Sequence, residues 1–245
     1  MFGSQVKRAT FASLTIAALG ILAGCTNTTG EIGSYIDRRA TWMSLLSADD
    51  IRASCKPGAP EHYRLVYYAN ASAQIRIYDL METENKAGVL RTRVLVGNRI
   101  PKTIFTDNLE DLLKPIDQRR PIDLADATAI IRALEQDGLN APPPDHEKFH
   151  SWEYFWLVTA CRGGQIAFNG WTRPDADFAA LTFPKELFAR DPAADIEPIR
   201  LPGPAWQEPD AYEPPRAGVG KETSGFIRYD LIVGPDRVRQ GQGYE

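Results

Sequence analysis

Two histidines and a glutamate stand at a spacing that could bind a metal ion. The segment His146-Glu147-Lys148-Phe149-His150 places its two histidines four positions apart. On a helix this spacing puts both imidazoles on one face, where they could bind one zinc ion with Glu147 beside them as a general base. The chemistry would be metal-assisted hydrolysis, and it requires a helix that runs through all five residues.

The surroundings of this segment argue against such a helix. Prolines fill residues 142–144, and a predicted strand begins at Tyr154, which leaves room for at most two turns. Zinc metallopeptidases with this pattern carry uncharged residues where this chain has Lys148. The longer form of the motif needs a glycine and a third histidine where the chain has Glu153 and Trp156. We therefore expect a solvated loop without bound metal, and keep a zinc-dependent hydrolase as the alternative.

The first cysteine follows a short apolar segment. Lys7 and Arg8 precede the apolar stretch 9–23, which ends in Leu22-Ala23-Gly24-Cys25. A permanent membrane helix needs about 20 apolar residues, so the stretch is short for a bilayer span. A basic start followed by an apolar run of this length is typical of a secretory signal peptide. An uncleaved anchor with a chance cysteine is the alternative.

The four residues that end at Cys25 resemble the lipobox of bacterial lipoproteins. The resemblance implies that residues 1–24 are cleaved off and that Cys25 carries a diacylglycerol thioether and an acylated amino group. Each buried CH₂ contributes about 0.8 kcal/mol, so two or three acyl chains hold a protein firmly at a membrane. Thr26 stands where such lipoproteins often carry the aspartate that retains them in the inner membrane. We therefore expect a periplasm-facing envelope protein, in the outer rather than the inner membrane.

The other two cysteines, Cys55 and Cys161, can pair with each other. In an oxidising periplasm their disulfide would close a loop of about a hundred residues and contribute about 4 kcal/mol in the chain-entropy model. Two separate buried thiols are the alternative. Cys161 could act as a nucleophile only with a base nearby. We predict the disulfide.

The mature chain is predicted to fold as one α+β domain. Residues 25–34 are small and polar and suit a tether, and residues 35–190 form the globular domain. Residues 191–222 contain seven prolines, which predicts an extended arm. Residues 223–245 supply a last strand and a tail.

Hydrophobic patterning predicts a mainly antiparallel sheet of about five or six strands, with helices on one face. In 89–96, Arg91 and Arg93 alternate with apolar residues, which indicates a solvent-exposed face. A helix should start at Asp123 and end at Gly138, and Ser47 stands at capping-box spacing before a short helix. The strands are predicted at 63–69, 74–80, 89–96, 154–161, 165–171 and 225–233, and further helical segments at 35–55 and 108–113.

The remaining candidates are weaker. Asp175 and Asp177 could bind a cation, although such loop carboxylates are more often simply solvated. Trp152, Trp171 and Trp206 could bind a partner or a glycan if they are exposed; packing in the core is the alternative.

Composition and the absence of known motifs exclude several classes of function. With 28 Lys+Arg against 32 Asp+Glu, the net charge of −4 argues against nucleic-acid binding. The sequence carries no Walker, G-x-S-x-G or G-x-G-x-x-G motif and predicts no cofactor. We expect a structural or partner-binding module of the envelope, held to the membrane by its N-terminal lipid and bound to another envelope protein. A periplasmic zinc hydrolase remains the alternative.

Overall fold

A computed structural model of the chain describes residues 42–69, 74–83, 88–96, 116–151, 153–173, 176–198 and 229–243. Within these ranges the fold is α+β, with a six-stranded sheet and a three-stranded sheet. Every strand pair in both sheets is antiparallel. The predicted class and the predicted main sheet are confirmed.

The six-stranded sheet has the order β4-β3-β2-β1-β6-β7, and the smaller sheet has the order β5-β8-β9. The strands are β1 His62–Ala69, β2 Gln74–Glu82, β3 Gly88–Val96, β4 Ile116–Ile122, β5 Lys148–His150, β6 Tyr154–Arg162, β7 Gln165–Thr172, β8 Tyr229–Val233 and β9 Val238–Gly243. The helices are α1 Asp49–Ser54, α2 Leu124–Gln136, α3 Ala176–Ala180 and α4 Phe183–Phe188, and residues 42–46 are also helical. The predicted helix 108–113 lies outside the described residues.

Local sequence signals set the boundaries of α2 and of the β6–β7 hairpin. The Asp123 carboxylate accepts a hydrogen bond from the backbone N–H of Asp126 at 2.8 Å and so caps the start of α2. Gly138 follows the helix with a φ of 92°, which favours glycine. Gly163 and Gly164 also have positive φ and form the two-residue turn that joins β6 to β7. These predictions are confirmed.

The first face of the main sheet is covered by helices. Tyr67, Tyr78 and Trp156 from the sheet pack in one cluster with side chains of α2, α3 and α4. Trp156 stacks on Tyr67 with ring centroids 4.6 Å apart and meets Phe183 of α4 edge-on at 4.9 Å. Large aromatic rings therefore fill the space between the sheet and the helices.

The second face is covered by the helical residues 42–54 and by the small sheet. Leu46 packs with Val66 and Ile77 of the main sheet, and Phe149 and Leu231 of the small sheet join the same cluster. The sequence did not predict this second covering layer. The fold thus buries apolar side chains on both faces of its central strands.

The predicted capping box at Ser47 is wrong. The residue that precedes α1 is Ala48, which has a φ of 52°, and no side chain caps the helix. Ser47 instead donates its hydroxyl hydrogen bond to the carbonyl of Val238 in β9 at 3.0 Å. The hydroxyl that would have capped the helix is used in this long-range contact with β9.

The described start of the predicted arm, residues 191–198, packs on the first face of the sheet. Asp191 and Arg76 form an ion pair in which both side chains are 0% exposed. Asp191 also accepts a hydrogen bond from the Tyr78 hydroxyl at 2.8 Å and one from the Ala193 backbone at 2.9 Å. Arg76 donates further bonds to the side chain of Gln74 and the carbonyl of Ile196. We call these groups the Arg76–Asp191 latch.

None of the helices in the described ranges has the length and apolar character needed to cross a bilayer.

Candidate functional site

The segment that resembles a zinc motif is not a helix. Residues Lys148–His150 form strand β5 and pair with β8, and the backbone of Glu147 also bonds to Val233 at 2.9 Å. Our expectation of a solvated loop is therefore wrong for these three residues. The side chain of Phe149 is fully buried against Phe155, and its ring occupies the space that a Cβ on Gly170 would need. The pairing with β8 and the burial of this ring together hold the segment in a strand.

The two histidines of this segment have different partners. His146 lies in a turn with a φ of 65°, and its side chain is 85% exposed beside Asp145 at 3.4 Å. His150 Nδ1 lies 2.7 Å from Oδ1 of Asp230, a buried residue of β8. In the described part of the chain, no group of three His, Cys, Asp or Glu side chains could hold a metal ion. The helical geometry that zinc-dependent hydrolysis requires at Glu147 is not formed.

The predicted disulfide is confirmed. Cys55, directly after α1, is bonded to Cys161 of β6, and their Cα atoms lie 5.6 Å apart. Ala48 and Ile51 bury the bond from the helix side. The disulfide links the segment that follows the predicted tether to a central strand of the main sheet, and it leaves Cys161 without a free thiolate for nucleophilic chemistry. Cys25 lies outside the described residues.

The tryptophan and aspartate candidates do not converge in the described part of the chain. Trp171 is half-buried and packs against Phe183 with ring centroids 5.5 Å apart, so it contributes to the core. Asp177 falls within α3. Trp152, Trp206 and Asp175 lie outside the described residues.

Sequence patterns did not reveal an ionic network on the second face of the main sheet, which we call the Asp79 network. The buried Asp79 carboxylate accepts hydrogen bonds from Arg64 Nε at 2.8 Å and from Arg93 Nη2 at 2.7 Å. His62 Nε2 lies 3.1 Å from the same carboxylate. Three nitrogen groups from two neighbouring strands therefore surround one acid.

Strand register brings these residues together. Arg64 on β1 lies directly opposite Asp79 on β2, and Arg91 on β3 lies opposite Asp79 from the other side. Arg93 is two residues further along β3, so it points to the same face and reaches Asp79 diagonally. The alternation of Arg91 and Arg93 was the one visible signal in the sequence. The contacts of Arg64 and Arg93 with buried Asp79 required the pairing of three strands.

The network extends from the sheet to α1. The Asp50 carboxylate accepts two hydrogen bonds from Arg64, at 2.6 Å and 2.9 Å, so this arginine is held between two acids. A bidentate pair of this kind fixes the orientation of the guanidinium. The Arg64 guanidinium therefore attaches the helix to the sheet next to the disulfide.

The environment keeps Asp79 ionised. Burial alone would raise its pKa, but hydrogen bonds from His62 and Arg64 and the charges of Arg64 and Arg93 hold the pKa of Asp79 far below its usual range. Asp50 follows the same pattern: burial opposes ionisation, and the hydrogen bonds and charge of Arg64 lower its pKa. A carboxylate held this strongly in its charged form is a poor proton acceptor at neutral pH, so Asp79 is poorly suited to act as a general base.

Comparison with known proteins gives no family for this chain: no protein-family model, no curated protein and no solved structure matches it.

Proposed function

We propose that this chain is a lipid-anchored protein of the bacterial cell envelope whose folded domain faces the periplasm and binds another envelope protein. The observation that carries the proposal is the Cys55–Cys161 disulfide. Disulfides of this kind persist in oxidising compartments such as the periplasm. The residues around Cys25 supply the matching signal for export and lipid attachment.

Binding is favoured over catalysis because the reactive groups have structural partners. Cys161 is consumed by the disulfide, and the Asp79 carboxylate is held by arginines. His150 contacts Asp230 between two strands of the small sheet. Each group is therefore used to hold elements of the fold together.

Replacement of the lipidated residue tests the anchor. In Cys25→Ser the hydroxyl cannot form the thioether, so we expect an uncleaved precursor that carries no diacylglycerol. Mass spectrometry of the N-terminal peptide and partitioning into detergent would measure both effects. Cys55→Ser is the matched control, because it removes a cysteine without touching the signal and should be lipidated normally. Normal processing of Cys25→Ser would contradict the proposal.

The state of the other cysteines tests the compartment. We expect protein isolated from the periplasm and unfolded without reductant to show no reactive thiol. Cys55→Ala should free Cys161 for labelling and lower the free energy of unfolding by about 4 kcal/mol. Two reactive thiols in the natural protein would refute the disulfide in the cell.

Metal analysis separates this proposal from a zinc-dependent hydrolase. Protein purified without a histidine tag should contain far less than one zinc per chain. A stoichiometric zinc that disappears in His150→Ala would favour the hydrolase instead.

A further inference from the structure

A row of four charged side chains crosses the main sheet on its second face. Arg64 lies opposite Asp79, Asp79 lies opposite Arg91, and Arg91 lies opposite Arg119 of the edge strand β4. The last two are like charges at directly paired positions, an arrangement that destabilises a strand pair unless an anion lies between them. The row therefore ends in two cations that share one carboxylate, that of Asp117.

The neighbouring carboxylates do not fully balance this row. Asp117 accepts two hydrogen bonds from Arg91, one from Nε at 2.9 Å and one from Nη2, and forms a looser ion pair with Arg119 Nε at 3.8 Å. Asp79 is already shared by Arg64 and Arg93. Four arginines thus face three aspartates in this patch when Asp50 of α1 is included, in a chain whose net charge is −4.

Arg93 adds an unused donor at the same place. Its Nε is buried and has no hydrogen-bond partner among the described residues. Burial lowers the pKa of Arg93, and the charges of Arg64 and Arg91 add to that effect, so the attraction of Asp79 does not compensate. Buried donors in native proteins almost always have an acceptor, which a ligand oxygen or a water can supply.

The patch is open at one end. The exposed fraction of the side chain rises from 6% for Arg64 through 27% for Arg91 to 60% for Arg119. A ligand can therefore approach over the edge strand and meet Arg119 first. The buried side chains of the row would then fix the position of the bound ligand.

We propose that Arg91, Arg93 and Arg119 form a binding site for a phosphate group on the second face of the sheet, at β3 and β4. A guanidinium presents paired donors that match the oxygens of a phosphate, and several phosphate oxygens can serve several arginines at once. The phosphate belongs either to a lipid headgroup or to a soluble phosphate ester. The lipid source rests on the proposed membrane anchor, whereas the soluble source does not.

Calorimetric titration of the full chain in neutral detergent micelles tests the site. One arm adds inorganic phosphate, and a second adds mixed micelles that contain phosphatidylglycerol; chloride at equal ionic strength sets the baseline. We expect saturable binding of one phosphate group per chain. Binding in the second arm alone would identify a lipid headgroup, and binding in the first arm alone a soluble ester. Binding in neither arm would overturn the proposal.

Neighbouring arginines on β4 provide a matched pair of variants. Arg119→Gln should weaken the binding about tenfold, the usual loss for one charge-assisted hydrogen bond. Arg120→Gln removes the same charge from the adjacent exposed residue, which points to the opposite face, and should change the affinity less than twofold. Equal losses in the two variants would show unspecific attraction and overturn the site.

Asp117 supplies a test with the opposite sign. Its carboxylate competes for the donors of Arg91, so Asp117→Asn should strengthen phosphate binding. Weaker binding in this variant would contradict the proposed position of the phosphate. This change in phosphate affinity does not depend on the proposed anchor. Lipidation at Cys25 and the disulfide are tested by separate experiments, so a failure of the phosphate site can be told apart from a failure of the proposed function.

Discussion

The two faces of the main sheet both contain buried arginines, but they accommodate the charge in different ways. On the first face, the latch closes around Arg76 and Asp191, whose side chains are both fully buried and fully hydrogen-bonded to nearby groups. On the second face, the row of charged side chains that includes Asp79 begins at buried Arg64 and ends at exposed Arg119. The latch is a closed set of partners, whereas four arginines face three aspartates in the patch on the second face.

We expect this difference to separate residues that stabilise the fold from residues that bind the proposed phosphate group. A buried ion pair is tolerated only when all of its hydrogen bonds are formed. Removal of either member then strongly destabilises the fold. A network that reaches solvent is screened by water and can exchange partners at lower cost. We therefore expect substitutions in the latch to affect stability most, and substitutions at the exposed end of this row to affect binding.

Loss of the latch carboxylate should have the largest effect on stability. Asp191→Asn leaves the buried Arg76 without its counter-ion, and we expect the free energy of unfolding to fall by about 4 kcal/mol. Urea denaturation would measure the change. Asp195→Asn is the control, since this exposed aspartate lies four residues further on and should matter by less than about 0.5 kcal/mol. If Asp191→Asn and Asp195→Asn lowered the free energy of unfolding by similar amounts, the buried ion pair would have no special role in stability, and the proposed difference between the two faces would be wrong.

Asp79→Asn should have the next largest effect, about 3 kcal/mol, because Arg64 and Arg93 lose a shared buried partner. The effect should also depend on pH. The folded pKa of Asp79 is lowered, so its contribution is complete above the usual aspartate range and is lost as the pH falls through that lower value. The stability gap between natural protein and variant should be constant above about pH 5 and shrink below about pH 4.

The half-exposed Asp117 is the control for this variant. Asp117→Asn should change the free energy of unfolding by less than about 1 kcal/mol, as is usual for exposed ion pairs. A stability gap for Asp79→Asn that stays constant down to pH 2 would show that the carboxylate charge contributes little on this face.

The contact between His150 and Asp230 in the small sheet should have the smallest effect on stability. His150→Ala removes a side chain that contacts buried Asp230, and we expect a loss of about 1 kcal/mol in thermal or urea denaturation. His146→Asn is the matched change in the same segment; asparagine tolerates the positive φ there, so stability should stay within about 0.5 kcal/mol. If His150→Ala proves as neutral as this control, the contact between β5 and β8 depends on Phe149 and the backbone alone.

Local patterns predicted most of the main sheet, and long-range pairing explains the misses. Five of its strands are rich in aromatic and β-branched residues, which identify strands without any neighbour. Strand β4 has the sequence IDQRRPI, whose polar residues and proline are acceptable only at the edge of a sheet. Strand β5 is three residues long and exists because it pairs with a strand 80 positions further along the chain.

The sequence by itself determined the features that depend on neighbouring residues: the main strands, the capped helix that begins after Asp123 and the Gly163-Gly164 turn. It also supplied the two cysteines that could pair. Only the tertiary structure decided that Arg64, Asp79 and Arg93 meet on one face. Strand order and register place side chains from distant segments side by side, and no local pattern carries that information. The same reason turned Ser47 from a predicted helix cap into a contact with β9.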